Sequence, residues 1–201
     1  MKKFLAILMT ICMMVSALSV PTFAALLENL DAVPVGAVLR ISTLTRGETT
    51  PVTYKEYYDF KDGWNEAMAI AKNDDYKAKG LDRVIVDIYA DWEANKDGQF
   101  TDDWLGGPGF DNDTIYIPEE ARVTLNLNGH TIDRGLTEDE DDGEIIFIND
   151  DADVIINNGT ITGGYSNSEG GCLYIEGGAN VTLNDVHIIG NKVHNDAGAG
   201  V

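Results

Sequence analysis

The stretch IYIPEEARVTLN, from Ile115 to Asn126, recurs twice without gaps, as IFINDDADVIIN from Ile146 to Asn157 and as LYIEGGANVTLN from Leu173 to Asn184. The offsets are 31 and 27 residues, and GAGV at 198–201 matches GGCL at 170–173, so that a fourth copy begins at Val201. In each copy apolar residues hold positions 1, 3, 9 and 11, with Ala121, Ala152 or Ala179 in the turn at position 7. Period-2 alternation on both sides of a turn predicts two short strands, each with one face inward. A third strand is expected to end at Ile132, Ile161 and Ile188, the first copy carrying two extra residues before it. Copies of this length, stacked one on another, predict a solenoid of parallel sheets over residues 83–201, with a ladder of aliphatic side chains at each inward position.

Upstream, Trp64, Ala67, Met68 and Ala71 fall at i, i+3, i+4 and i+7 and predict a helix over 61–80, closed before Gly80. Val84, Val86 and Ile88 then alternate as a strand. Residues 25–60 show an aromatic cluster at Tyr54, Tyr57, Tyr58 and Phe60 but no clean period, which reads as a strand or two plus linker. At the start, Lys2 and Lys3 precede an apolar run from Phe4 to Val20 and the small-residue pattern Thr22-Phe23-Ala24, predicting a secretory signal over 1–24. The expected location is therefore extracellular or at the cell surface.

The 201 residues carry 14 Lys+Arg against 34 Asp+Glu, a net charge of −20. Removal of 1–24 takes away Lys2 and Lys3 and no acid, leaving 12 against 34, or −22. Such a charge disfavours nucleic acid and anionic membrane surfaces, both polyanions. No direct membrane insertion is expected of the mature segment. It retains one cysteine, Cys172, which excludes an intrachain disulfide.

The segments NGHTI, NGTITGG and GGCLYI, the Asn that ends each second strand and the preceding helix resemble right-handed parallel β-helix proteins of the pectate-lyase-like superfamily, particularly bacterial surface proteins with Gly-Gly-x-Ile repeats. The resemblance covers residues 60–201. It implies an all-β, right-handed parallel β-helix whose N-terminal end is capped by the helix around Trp64. It also implies a secreted or surface scaffold for adhesion or glycan binding, forming the N-terminal part of a longer protein. The alternative is a polysaccharide lyase or glycoside hydrolase with its active site in coils beyond residue 201, and no catalytic residue is assigned within the chain.

Individual residues refine these expectations. Position 2 of each copy is Tyr116, Phe147 or Tyr174, which places three rings on the outer face of one sheet, as a glycan-binding strip or as a covered patch. Extracellular polysaccharide or a host or neighbouring cell surface is the expected partner. Asn126, Asn157 and Asn184 stack in register as a structural amide ladder. Two acidic stretches could hold Ca²⁺, although a solvated loop and a turn between strands are the better readings. Glu93, Asn95 and Asp97 occupy positions 1, 3 and 5 of an EF-hand-like run that lacks the carboxylate at position 12, and Glu138, Asp139 and Asp141 lie in the loop TEDEDDG. Ca²⁺ is the one cofactor considered. Asp133-Arg134 reads as a surface ion pair or as the base-and-charge pair that lyases of this resemblance use.

Overall fold

The computed structural model describes residues 36–94, 109–111, 114–136, 144–166, 170–194 and 198–201. The signal sequence expected over 1–24 lies outside them. Strands β1 (Leu39–Thr45) and β2 (Val52–Tyr57) precede helices α1 (Phe60–Lys72) and α2 (Asp74–Ala78). There follow β3 (Leu81–Ile88), β4 (Trp92–Glu93), β5 (Phe110–Asp111), β6 (Thr114–Ile117), β7 (Arg122–Asn126), β8 (Thr131–Asp133) and β9 (Ile146–Ile148). The last five are β10 (Asp153–Thr162), β11 (Tyr165–Ser166), β12 (Leu173–Ile175), β13 (Asn180–Ile188) and β14 (Lys192–Val193).

The expectation of an all-β, right-handed parallel β-helix with a single capping helix is corrected. The described chain is mixed α/β, and its main sheet of eight strands, ordered β2-β1-β3-β7-β10-β8-β4 with β13 also on β10, mixes antiparallel and parallel pairing. Strand β1 is antiparallel to both β2 and β3. Of the strand or two plus linker expected over 25–60, residues 39–57 form two strands, paired as an integral hairpin of the sheet. Apolar and polar side chains alternate from Leu39 to Ser42, yet all four are buried, so both faces of β1 are covered there. A register shift between Ile41 and Ser42 interrupts its pairing with β2. Arg40 tolerates burial because Glu56 receives its Nη2 at 3.0 Å and its guanidinium lies 5.5 Å from the centre of the Tyr89 ring.

From β3 onward the pairing in this sheet is parallel. Val84, Val123, Val154 and Val181 face one another across β3, β7, β10 and β13, as do Val86, Leu125, Ile156 and Leu183. The second half of β10 pairs with β8, bringing Ile161 beside Ile132, and β4 flanks β8. A smaller sheet, β12-β9-β6-β5, aligns Leu173, Ile146 and Ile115, and its edge pair β5–β6 is antiparallel. Strands β11 and β14 pair with each other.

The two extra residues of the first copy have a defined place. Leu127 and Asn128 make a turn in which Asn128 and Gly129 take positive φ, of 53° and 85°, and the His130 N–H donates to the Leu127 carbonyl at 2.8 Å. Leu127 itself is fully buried and fills the space above Gly159, where any side chain would collide with it.

Helix α1 starts at Asp59, whose carboxylate accepts the Asp62 N–H at 2.9 Å. It stops at Asn73, whose extended backbone (ψ 116°) ends the helix and whose side chain caps α2 by accepting the Asp75 and Tyr76 N–H groups. The expected single helix over 61–80 is therefore two. The inward face of α1 buries Trp64, Ala67, Met68, Ile70 and Ala71. Gly63 sits in mid-helix because a Cβ there would come within 2.8 Å of Leu39 Cδ2, so it lets the hairpin lie close. Side chains from α1, the large sheet and the smaller sheet join in one core that includes Trp64, Val86, Leu125, Ile146 and Ile156. Truncating a fully buried member such as Leu125 to Ala costs about 2–5 kcal/mol.

Candidate functional site

The three rings singled out in the sequence are brought together. Tyr116, Phe147 and Tyr174 are register partners on β6, β9 and β12 and are half-buried. Their centroids are 5.6 and 5.1 Å apart with planes inclined by 19° and 18°, so each ring lays its face on the next. The Tyr116 hydroxyl also accepts from Asn149 Nδ2. Offset stacking of this kind contributes about 0.5–1.5 kcal/mol per pair. Between neighbours the ring faces are covered, so Phe147 has a ring stacked on each side.

Asn126, Asn157 and Asn184 also meet. Asn157 Nδ2 donates to Asn126 Oδ1 and Asn184 Nδ2 to Asn157 Oδ1, both at 2.8 Å, while Asn126 Nδ2 donates to Asp87 Oδ1 at 2.7 Å. The last contact, with Asp87, had no counterpart in the sequence reading because Asp87 precedes the first copy.

The arginines are engaged in structure. Arg83 donates to the carbonyls of Val123 and Asp153 at 2.8 and 3.0 Å and to the Asp153 carboxylate at 2.6 Å. Arg122 bridges Asp82 and Asp153. Burial pushes the Asp153 pKa upward, but hydrogen bonds and charge from Arg83, and then from Arg122, outweigh it and hold the carboxyl below its usual range. Arg134 is buried at 2% exposure, and the neighbouring Asp133 Oδ1 accepts the Gly135 N–H at 2.9 Å. The Asp133-Arg134 pair thus sits inside the packing of the turn after β8. Cys172 is fully buried, and desolvation pushes its thiol up to about 12, which keeps it protonated and unreactive.

Of the residues considered for calcium, Glu93 lies on β4 and is exposed, whereas Asn95, Asp97, Glu138, Asp139 and Asp141 lie outside the described residues. Among the described residues no three His, Cys, Asp or Glu side chains are grouped to hold a metal.

A groove that the sequence reading did not assemble lies at the start of α1. Val38, Tyr58, Asp59, Phe60 and Lys61 line one side, and Ala90–Ala94 the other. The two sides are held together through β1: the Val38 N–H donates to the Tyr57 carbonyl and the Tyr89 N–H to the Val38 carbonyl, both at 2.9 Å. An aromatic series runs inward from the groove to the core. Trp92 stacks on Phe60 at 4.7 Å and 21°, and Phe60 stacks on the buried Trp64 at 6.1 Å and 7°. Tyr58, 66% exposed, stands at the mouth. Three carboxylates, Asp59, Asp91 and Glu93, and one lysine, Lys61, make up the charged lining. Asp91 accepts the Thr131 N–H at 2.9 Å and lies 3.2 Å from His130 Nδ1, and its side chain is 72% exposed. Two signals for this groove stood in the sequence, the aromatic cluster ending at Phe60 and the Trp92-Glu93 pair. What joins them is the antiparallel β1–β3 pairing, a contact the parallel repeat does not encode.

No protein-family model, curated protein or solved structure matches the chain.

Proposed function

We propose that the protein is a secreted or cell-surface binding module that holds a glycan without transforming it, and that the groove between Tyr58 and Trp92 is where the glycan binds. The observation that supports this reading is the exposed ring of Tyr58 and the half-buried Trp92 lining one groove together with the carboxylates of Asp59, Asp91 and Glu93. An exposed ring face takes the apolar C–H surfaces of sugars, and carboxylates accept from their hydroxyl groups, the division of labour common in small-molecule sites. Arg83 and Arg122 are committed to Asp82, Asp153 and backbone carbonyls and Arg134 is buried, so none of the three is offered as a lyase base, and the lyase or hydrolase reading keeps its active site beyond residue 201.

Affinity electrophoresis against a panel of neutral and charged polysaccharides, alongside thermal melts, tests the proposal. Tyr58→Ala removes an exposed ring, so the melt should stay within about 0.5 kcal/mol of wild type while affinity falls about tenfold. Tyr174→Ser is the comparator and should leave binding in place. Loss of binding in Tyr174→Ser with retention in Tyr58→Ala would move the site to the ring stack, and no retardation by any polysaccharide would refute the glycan reading.

A further inference from the structure

Independently of the glycan reading, we infer that a second recess takes a small organic anion, a carboxylate or a phosphate monoester on an apolar or sugar body, and that Arg46 and Lys77 hold its charged end. The recess lies at the other end of α1 from the groove, about 15 Å away at 1.5 Å per residue from Lys61 to Ala71. Parts of the chain remote in sequence supply it. Arg46 follows β1, Ala71 lies on α1 and Lys77 on α2, Leu81 and Asp82 open β3, and Glu120 and Arg122 stand at the start of β7. In a chain of 34 acids against 14 bases, three of the bases converge here and only two of the acids, a lining charge of +1.

Both acids already have partners. Arg122 bridges Asp82 and Asp153, the latter balanced in turn by Arg83, and Lys77 comes within 3.8 Å of Glu120. Arg46 is left over: among the described residues its guanidinium makes no hydrogen bond or ion pair, while its backbone N–H, donating to the Gly80 carbonyl at 2.8 Å, ties it to the rim. A guanidinium grips an oxyanion through two parallel N–H···O bonds. The Lys77–Glu120 approach is long, and the Glu120 side chain is 69% exposed, so a ligand displaces it at little cost. Charges beyond about 8 Å are largely screened at physiological ionic strength, so the lining outweighs the −20 of the whole chain. The volume, about 190 Å³, is below the roughly 300–1,000 Å³ of drug-sized sites and suits one small molecule. Ala71 and Leu81, which pack on the core, form an apolar floor that a bare inorganic ion would leave uncovered.

The test is calorimetric titration of the full chain with glucuronate, glucose 6-phosphate, glucose and inorganic phosphate. At least one of the two organic anions should bind with a roughly millimolar Kd, about tenfold or more tightly than glucose and inorganic phosphate. Arg46→Gln alters an exposed side chain, so the thermal melt should not change while that margin is lost. Glu120→Gln removes the carboxylate that competes for Lys77 and should tighten binding about threefold, whereas Glu119→Gln, an exposed acid outside the recess, should not. Absence of saturable anion binding, or binding unchanged in Arg46→Gln, would overturn the assignment. So would inorganic phosphate binding as tightly as the organic anions, or equal gains in Glu119→Gln and Glu120→Gln, since either would reflect the surface charge alone.

Discussion

Single residues record the local cost of the turns between strands. Glu120 and Asp151 hold positive φ, of 57° and 55°, at the position where the third copy places Gly178 at 83°. A side chain in the left-handed region costs about 1–2 kcal/mol, part of which glycine returns through its freer unfolded chain. Glu120→Gly should therefore stabilise the protein by about 0.5–1 kcal/mol in urea melts. Its side chain gives up only a 3.8 Å approach to Lys77, so a loss of stability would mean that this ion pair matters more than the backbone. Asp153 illustrates the electrostatic counterpart. Its carboxyl is held below the ordinary value, so its ionisation favours the folded state at all pH above the unfolded value, about 3.9, and that contribution disappears as pH falls through the lower folded value. Asp153→Asn should lower the melting temperature at neutral pH and flatten its fall below about pH 4. Parallel melting curves for the two proteins at every pH would contradict this account.

At the scale of elements, glycine positions separate strands that look alike in sequence. Gly159 in β10 lies opposite Val186 in β13, yet a Cβ on Gly159 would come 2.6 Å from the His130 carbonyl oxygen and collide with Leu127. Gly159→Ala should cost about 1–3 kcal/mol as the Leu127 turn is pushed outward. The double variant Gly159→Ala with Leu127→Ala should cost less than the sum of its parts, and strict additivity would show that the two sites do not touch. The same turn shows how far the sequence could be read. Aliphatic residues at positions 1, 3, 9 and 11 lie one above another because the pleat sends alternate side chains to one face, and the helical stripe from Trp64 to Ala71 places α1 correctly within the chain. A strand or two before α1 is legible in the sequence, but their pairing is not. The partner of β1, β3, is remote in sequence, and nothing in the parallel repeat encodes the antiparallel contact that makes the sheet mixed. The groove was lost with the hairpin, since Tyr58 and Trp92 meet only after β1 docks on β3.

For a chain of these 201 residues, the edges of the large sheet decide colloidal behaviour. Among the described residues strand β13 pairs with β10 alone, and Leu183 is 38% and the adjoining Ile189 58% exposed. Unpaired edge strands with apolar residues template association. The sedimentation coefficient should rise with concentration, and Leu183→Lys with Ile189→Lys should suppress the rise without lowering the melting temperature by more than about 3 °C. A concentration-independent monomer would show that the edge is already protected. The amide ladder running to this edge has a further property. A carboxylate can only accept, so Asp87 obliges Asn126 to turn its NH₂ toward β3. Asn126 then offers its oxygen to Asn157, which is oriented in the same sense and orients Asn184 in turn. The chain of amides is polar and has one sender. Three strands away, roughly 14 Å by strand spacing, the oxygen of Asn184 is left as the outward terminus. Replacing Asp87 by Asn would erase that instruction, since an amide can give or take. Both senses of the ladder would then be admissible, and the exposed edge of β13 would present donors and acceptors in mixture.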